Sequence, residues 1–197
     1  ALSLMRLLPD AGTIAGGRVL LDGRDLLALS EAEMRDVRGR KMAMIFQEPA
    51  TSLNPVLSVG RQIVEVLERH MTMARASARR RALELVEAVG IPDPVRRLEE
   101  YSFQLSGGMK QRVMIAMALA GDPRLLIADE PTTALDVTIQ AQVLGLLGQL
   151  QRELGLTVVM VTHDLDTLIG LASHVAVLAE QRIVEFGPLA AVMAGDN

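Results

Sequence analysis

Apolar and polar positions alternate along the 197 residues in two rhythms, and their order predicts the elements. Residues 1–8 (ALSLMRLL) are apolar and helix-favouring, with Pro9, Asp10 and Gly12 as a stop. Residues 18–21 (RVLL) followed by Asp22 and Gly23 predict a short strand and a tight turn. Ser30 with Glu33 three positions later has the pattern of a capping box, opening a short helix that runs to Val37. Residues 41–46 (KMAMIF) read as a buried strand. Residues 47–55 (QEPATSLNP) hold two prolines, which fix φ and remove donors, so a loop is expected there. Residues 58–70 and 75–89 carry apolar side chains at helical spacing (Ile63, Val66 and Leu67, then Leu83 and Val86), and Gly90 to Pro92 stop the second run.

Beyond Arg124 the rhythm becomes apolar strand, helix, apolar strand at residues 125–128, 137–154 and 157–161. Such alternation implies right-handed crossovers and a parallel sheet covered on both faces. Residues 174–179 and 182–186 add two short strands, and residues 188–194 a helix. The expected fold is α/β, with a parallel sheet core flanked by helices and a small antiparallel portion. A helical subdomain at about residues 56–120 is inserted in a single domain spanning 1–197.

Composition narrows the picture. Half the residues are apolar and 22% are charged, which suits a packed core and speaks against disorder. Twenty Lys and Arg against 24 Asp and Glu leave a net charge of -4, so no overall field draws the chain to nucleic acid. Without cysteine there is no disulfide, thiolate zinc site or iron–sulfur ligation within the chain. The longest apolar run, residues 113–121, is 9 long and about half of the ~20 needed to cross a bilayer as a helix. Residues 1–10 have no basic stretch ahead of an apolar one and do not read as a signal peptide; they look like a helix cut into, with a segment expected upstream.

The strongest chemical signal is LLIADEP at residues 125–131, an apolar strand whose C-terminal end carries Asp129 and Glu130. Ligands bind at that edge of open α/β sheets. Adjacent carboxylates there suit a division of labour, one holding Mg²⁺ and the other polarising a water; the competing reading is an ordinary helix N-cap. In LSGGMKQR at residues 105–112, Ser106, Gly107 and Gly108 precede a helical run. Glycines let a phosphate approach the backbone and a helix N-terminus favours an anion, although a plain glycine turn with a serine cap has the same letters. His163, after the apolar strand 157–161, suits a phosphate contact or a structural role, and Gln47 after strand 41–46 suits a metal or water contact or the start of a loop. Three apolar strands thus each end in a polar group at one edge.

In order and separation these motifs resemble the nucleotide-binding domain of ABC ATPases, with a P-loop-NTPase-like sheet. LSGGMKQR resembles the family's signature motif, LLIADEP its Walker B motif, residues 134–136 its D-loop, Gln47 its Q-loop and His163 its switch histidine. The likeness runs from about residue 18 to residue 188, and FQEPATSLNP is similar to the ATPase subunits of dipeptide, oligopeptide and nickel importers.

The resemblance implies ATP and Mg²⁺ as cofactors, with Glu130, His163 and Gln47 catalytic and with Asp129 and Gln47 at the metal. It implies nucleotide contacts from Ser106, Gly107, Gly108, Gln111 and Asp136, the signature residues acting in trans on a second ATPase subunit, identical or paralogous. Transmembrane permease subunits, met by residues 47–55 and 58–89, would place the protein at the cytoplasmic face of the inner membrane, with a solute-binding protein as an indirect partner. One departure is large: no G-x-x-x-x-G-K-[ST] occurs, so the sequence is expected to begin just after that loop. The departure keeps open a non-hydrolysing interaction module, whereas an ABC-type DNA-repair or translation ATPase is disfavoured by the acidic balance.

Overall fold

A computed structural model describes residues 1–133 and 135–194. The chain divides into two compact units, residues 1–161 and 162–197.

In the first unit, α1 (Leu2–Met5) is a single turn, shorter than its apolar run predicts, because Arg6 takes the left-handed conformation and ends it ahead of Pro9. Strands β1 (Leu20–Leu21) and β2 (Arg24–Asp25) form an antiparallel hairpin whose turn residues, Asp22 and Gly23, both have positive φ, as a two-residue turn requires. Helix α2 (Glu31–Val37) opens on the expected capping box. The Ser30 hydroxyl accepts from the Glu33 N–H, and Glu33 Oε2 accepts from the Ser30 N–H at 2.8 Å. The Ser30 hydroxyl also donates to Glu33 Oε2 at 2.8 Å, and this bond, followed by the one from the Ser30 N–H, holds the Glu33 carboxyl below its ordinary range.

Strands β3 (Met42–Ile45), β4 (Leu125–Asp129) and β5 (Thr157–Val161) make a parallel sheet with β4 in the centre. Neighbouring positions of β3 and β4 enter opposite hydrophobic clusters. Ala43, Ile45, Leu126 and Ala128 face one with Ile63, Val86, Ile115 and Leu147; Met42, Met44 and Ile127 face the other with Met5, Leu26, Met34 and Val37. Both faces of these strands are therefore covered, which explains their unbroken apolar sequence. β5 departs from that expectation: it alternates between exposed and half-buried, with Val159 and Val161 about 40% exposed.

Between β3 and β4 the chain is helical. Residues 49–52, expected to be loop, close one turn, α3 (Pro49–Ser52), because a proline at the first helical position has no N–H to lose. Then come α4 (Val59–Met71), capped by Ser58, α5 (Arg75–Ala88), the unpredicted short α6 (Pro94–Glu99) and α7 (Gly107–Leu119). The end of α7 is pinned to the start of the sheet. A Cβ on Gly121 would lie 1.7 Å from the Gly39 carbonyl oxygen, so no other residue fits there without moving backbone. Helix α8 (Val137–Leu154) returns the chain from β4 to β5.

In the second unit, a 3-10 turn over Leu165–Leu168 is capped by Asp164. Strands β6 (His174–Ala179) and β7 (Arg182–Pro188) pair antiparallel across a turn at Glu180 and Gln181, and α9 (Leu189–Ala194) follows.

Candidate active site

Parallel pairing of β3 with β4 sets Ile45 opposite Ala128, so the residues two positions on, Gln47 and Glu130, leave the sheet at one level. Their side chains meet: Gln47 Nε2 donates to Glu130 Oε2 at 2.9 Å. The Glu130 N–H reaches across to the Val161 carbonyl at 2.9 Å, tying the backbone of this residue to β5. Glu130 itself has φ 45°, a left-handed value that a residue with a Cβ adopts at a cost on the order of 1–3 kcal/mol.

That conformation turns the chain sharply into Pro131 and Thr132, and the Thr133 N–H closes the turn on the Glu130 carbonyl at 3.2 Å. The turn brings Thr133 Oγ1 to Glu130 Oε2 at 2.9 Å, so two donors from different parts of the chain converge on one carboxylate oxygen. Sequence reasoning did not single out Thr133. Its signal was present in the proline directly after the acid, a favoured second residue of a turn that returns the fourth to the first.

Asp129, the last residue of β4, is half-buried beside this cluster, in register with Val161. It does not cap α8; Asp136 does, its Oδ1 accepting from the Ile139 N–H at 3.0 Å. Ala134, part of the expected D-loop, lies outside the described residues. The described residues contain no group of three or more His, Cys, Asp or Glu able to cage a metal. Magnesium needs no such cage, because it binds through one or two carboxylates and completes its shell with phosphate oxygens and water. The Asp129 carboxylate and the Gln47 amide oxygen, whose partner nitrogen is engaged by Glu130, are a donor set that fits it.

The segment 105–112 is built differently. Ser106 caps α7, its Oγ accepting from the Met109 N–H at 3.3 Å, and remains exposed with Gly107. Gly108 is buried: a Cβ there would lie 2.6 Å from Ile139 Cγ2 on α8. Its smallness serves packing, and only Gly107 has the open backbone that the phosphate reading asks of both glycines. Gln111, expected to contact nucleotide, is only 1% exposed, with Nε2 lacking a partner among the described residues. The structure therefore puts its side chain in the interior of the helical region, a correction to that expectation of a surface contact.

His163 belongs to the second unit. It sits in a tight turn in which the Asp164 N–H donates to Thr162 Oγ1 at 3.0 Å and Thr167 Oγ1 donates to the Asp164 carbonyl at 2.7 Å. Of the expected catalytic groups, Gln47 and Glu130 are in contact within the first unit.

Directly beside Gln47 on the chain, Phe46 helps line a cleft of about 370 Å³ together with Leu53, Val66, His70, Met114 and Met117. Burial, followed by the nearby Arg69 charge, lowers the His70 pKa below its ordinary value. No helix among the described residues is long and apolar enough to cross a membrane.

Comparison with known proteins bears on the family and the fold. A family model described as ABC transporter matches residues 3–133. The oligopeptide transport ATP-binding protein OppD of Bacillus subtilis is 51% identical over 186 residues, which are 94% of this chain and 52% of that protein. The dipeptide transport ATP-binding protein DppD of the same organism is 50% identical, covering 94% of this chain and 56% of its own length. The chain thus spans about half the length of the curated relatives it matches. Among solved structures, the ATP-binding cassette MJ0796, a dimer in a post-hydrolysis state bound to ADP and Pi, superposes with a TM-score of 0.77 at 30% identity, over 89% of this chain and 74% of that one. CbiO1 of Clostridium perfringens, part of the ABC transporter complex CbiONQ, gives 0.77 at 29% identity, over 92% and 70%. With a family model matched over most of its length and a parallel sheet of the same architecture, the chain belongs to the ABC transporter family.

Proposed function

We propose that this chain is part of an ATP-hydrolysing subunit that powers an ABC importer of peptides or a related small solute. The observation that carries the reading is Glu130, a carboxylate at the C-terminal edge of the central strand, oriented by donors from Gln47 and Thr133 and adjacent to Asp129. The names of its half-identical relatives support the peptide class.

In the proposed reaction Glu130 accepts a proton from a water as the water oxygen bonds to the γ-phosphorus. The bond from that phosphorus to the β–γ bridging oxygen breaks, giving ADP and inorganic phosphate. Asp129 and the Gln47 carbonyl would hold Mg²⁺, which neutralises charge on the triphosphate. His163 would contact the γ-phosphate. Ser106 and the backbone of Gly107 would reach the nucleotide of a second ATPase subunit, the helix N-terminus of α7 favouring its charge. Phosphoryl transfer relies on such positioning and charge neutralisation. No G-x-x-x-x-G-K-[ST] phosphate cradle occurs within these 197 residues.

The cleft beside Phe46, between the sheet and the helices, is the proposed seat of the permease. A groove adjoining Gln47 couples movement of a partner to the hydrolytic edge, which suits a peripheral subunit at the cytoplasmic face of the membrane. The test of the hydrolytic reading is Glu130→Gln in the full-length subunit. Turnover is expected to fall ~10²-fold or more with ATP binding retained, the scale of losing a general base. Unchanged hydrolysis would refute it.

A further inference from the structure

We propose that Thr133 is a positioning residue for hydrolysis, its hydroxyl acting with the Gln47 amide to fix the orientation of the Glu130 carboxylate. This rests on the reading of Glu130 as the general base. Two observations carry it. Thr133 Oγ1 and Gln47 Nε2 both lie 2.9 Å from the same oxygen, Glu130 Oε2, and they approach from separate segments of the chain. One donor alone leaves the carboxylate free to swing about that bond; two on one oxygen fix the plane of the group.

The second observation is backbone. Glu130 is held in a left-handed conformation, and the turn that follows is closed by the Thr133 N–H on the Glu130 carbonyl. Pro131 presets the φ of the second turn residue, so the hydroxyl is delivered to the carboxylate by the chain's own geometry rather than by a long flexible side chain. A strained residue whose neighbours restrain both its backbone and its side chain is what a preorganised site requires. Gln47 stands in a loop after β3, and its contact depends on where that loop lies. Thr133 stands three residues from the base, and its contact travels with the base.

The experiment measures steady-state hydrolysis by the full-length subunit carrying Thr133→Val, Thr133→Ser or Thr133→Ala, alone and combined with Glu130→Gln. Loss of the hydroxyl is expected to lower kcat ~10-fold or more, the scale of a misoriented catalytic group, with KM for ATP within about twofold of wild type. Thr133→Ser, which keeps the donor, should restore kcat to within about threefold. On the Glu130→Gln background, Thr133→Val should add no further loss, because the two residues act as one unit. Thr133→Ala is the second variant should valine crowd the turn. Wild-type kcat in both hydroxyl-free variants, serine as slow as valine, or a full additional loss on the Glu130→Gln background would each overturn the role of Thr133. Wild-type turnover of Glu130→Gln alone would instead overturn the general-base reading, so the two failures are distinguishable.

Discussion

At the end of β4, Glu130 is surrounded by contacts that serve its carboxylate; at the start of α7, Ser106 and Gly108 are surrounded by contacts that serve their helix. The first region gathers polar groups from the loop after β3 and the turn after β4 onto one oxygen, over a backbone bent against its preference. In the second, the serine hydroxyl caps the local N-terminus and the buried glycine gives Ile139 room to pack α8 against α7. Both stretches stand out in the sequence, LLIADEP the more strongly. The difference teaches that a functional motif mixes residues placed for chemistry with residues placed so that the chemistry has a scaffold, and contacts sort them where letters do not.

The comparison predicts that substitutions at the two places fail in opposite ways. Edge variants such as Glu130→Gln should lose turnover and keep their melting temperature, since glutamine keeps the shape of this half-buried side chain at the rim of the sheet. Variants at the start of α7 should lose stability first. The largest such effect is expected at Gly108→Ala, where the new methyl meets Ile139 Cγ2 at 2.6 Å. Overpacking of this kind costs about 1–3 kcal/mol, which outweighs the ~1 kcal/mol that alanine gains over glycine inside a helix. Ile139→Ala removes the obstructing carbon, so in that background Gly108→Ala should become neutral or stabilising. Denaturant titration of the four proteins of this cycle measures the coupling, and additive effects would show that Gly108 is not there for packing.

How much of this was legible follows from the range of the forces. Local patterns were readable: the capping box at Ser30, the span of α8 behind Asp136 and the strand at residues 157–161 all follow from spacing within a few residues. The convergence of Gln47 and Glu130 was readable one level up, because parallel strands must end at a common edge. What escaped was decided by packing across the chain. Nothing local distinguishes Gly107, exposed, from Gly108, pressed on Ile139. Gln111 reads as a polar helix residue near a motif, yet its turn of α7 faces the interior. Pro131 marks the turn that leads to Thr133, but the left-handed φ of Glu130 that aims its hydroxyl is imposed by the surrounding fold and is not a preference of glutamate.

A smaller effect is expected at Ser106, and it separates the two uses of one hydroxyl. Ser106→Ala removes the cap on the Met109 N–H and should cost about 1 kcal/mol. Ser106→Asp keeps an acceptor at the cap and should retain stability, while its negative charge repels the phosphate proposed to sit there in trans. Thermal melts and ATP-dependent dimerisation of the two variants should therefore rank in opposite orders. Equal dimerisation by Ser106→Asp and wild type would confine this serine to capping.

The smallest expected effect tests the approach to the same loop. Glu100 precedes the segment 101–106, and its carbonyl accepts from the Val59 N–H at 2.9 Å while its carboxylate takes Arg96 at 3.0 Å and Arg97 at 2.7 Å. The hydrogen bond from Arg97 holds the Glu100 carboxyl below its ordinary range against an opposing desolvation. The folded chain thus binds this proton less tightly than the unfolded chain. The resulting stability is fully present above the ordinary glutamate value and disappears as pH falls through the lowered folded value. Glu100→Gln should melt below wild type near neutral pH, with the gap closing in acid as the wild-type carboxyl protonates. Equal melting temperatures at every pH would mean that the loop is anchored by the shape and backbone bonds of residue 100, which glutamine keeps, and owes nothing to its charge.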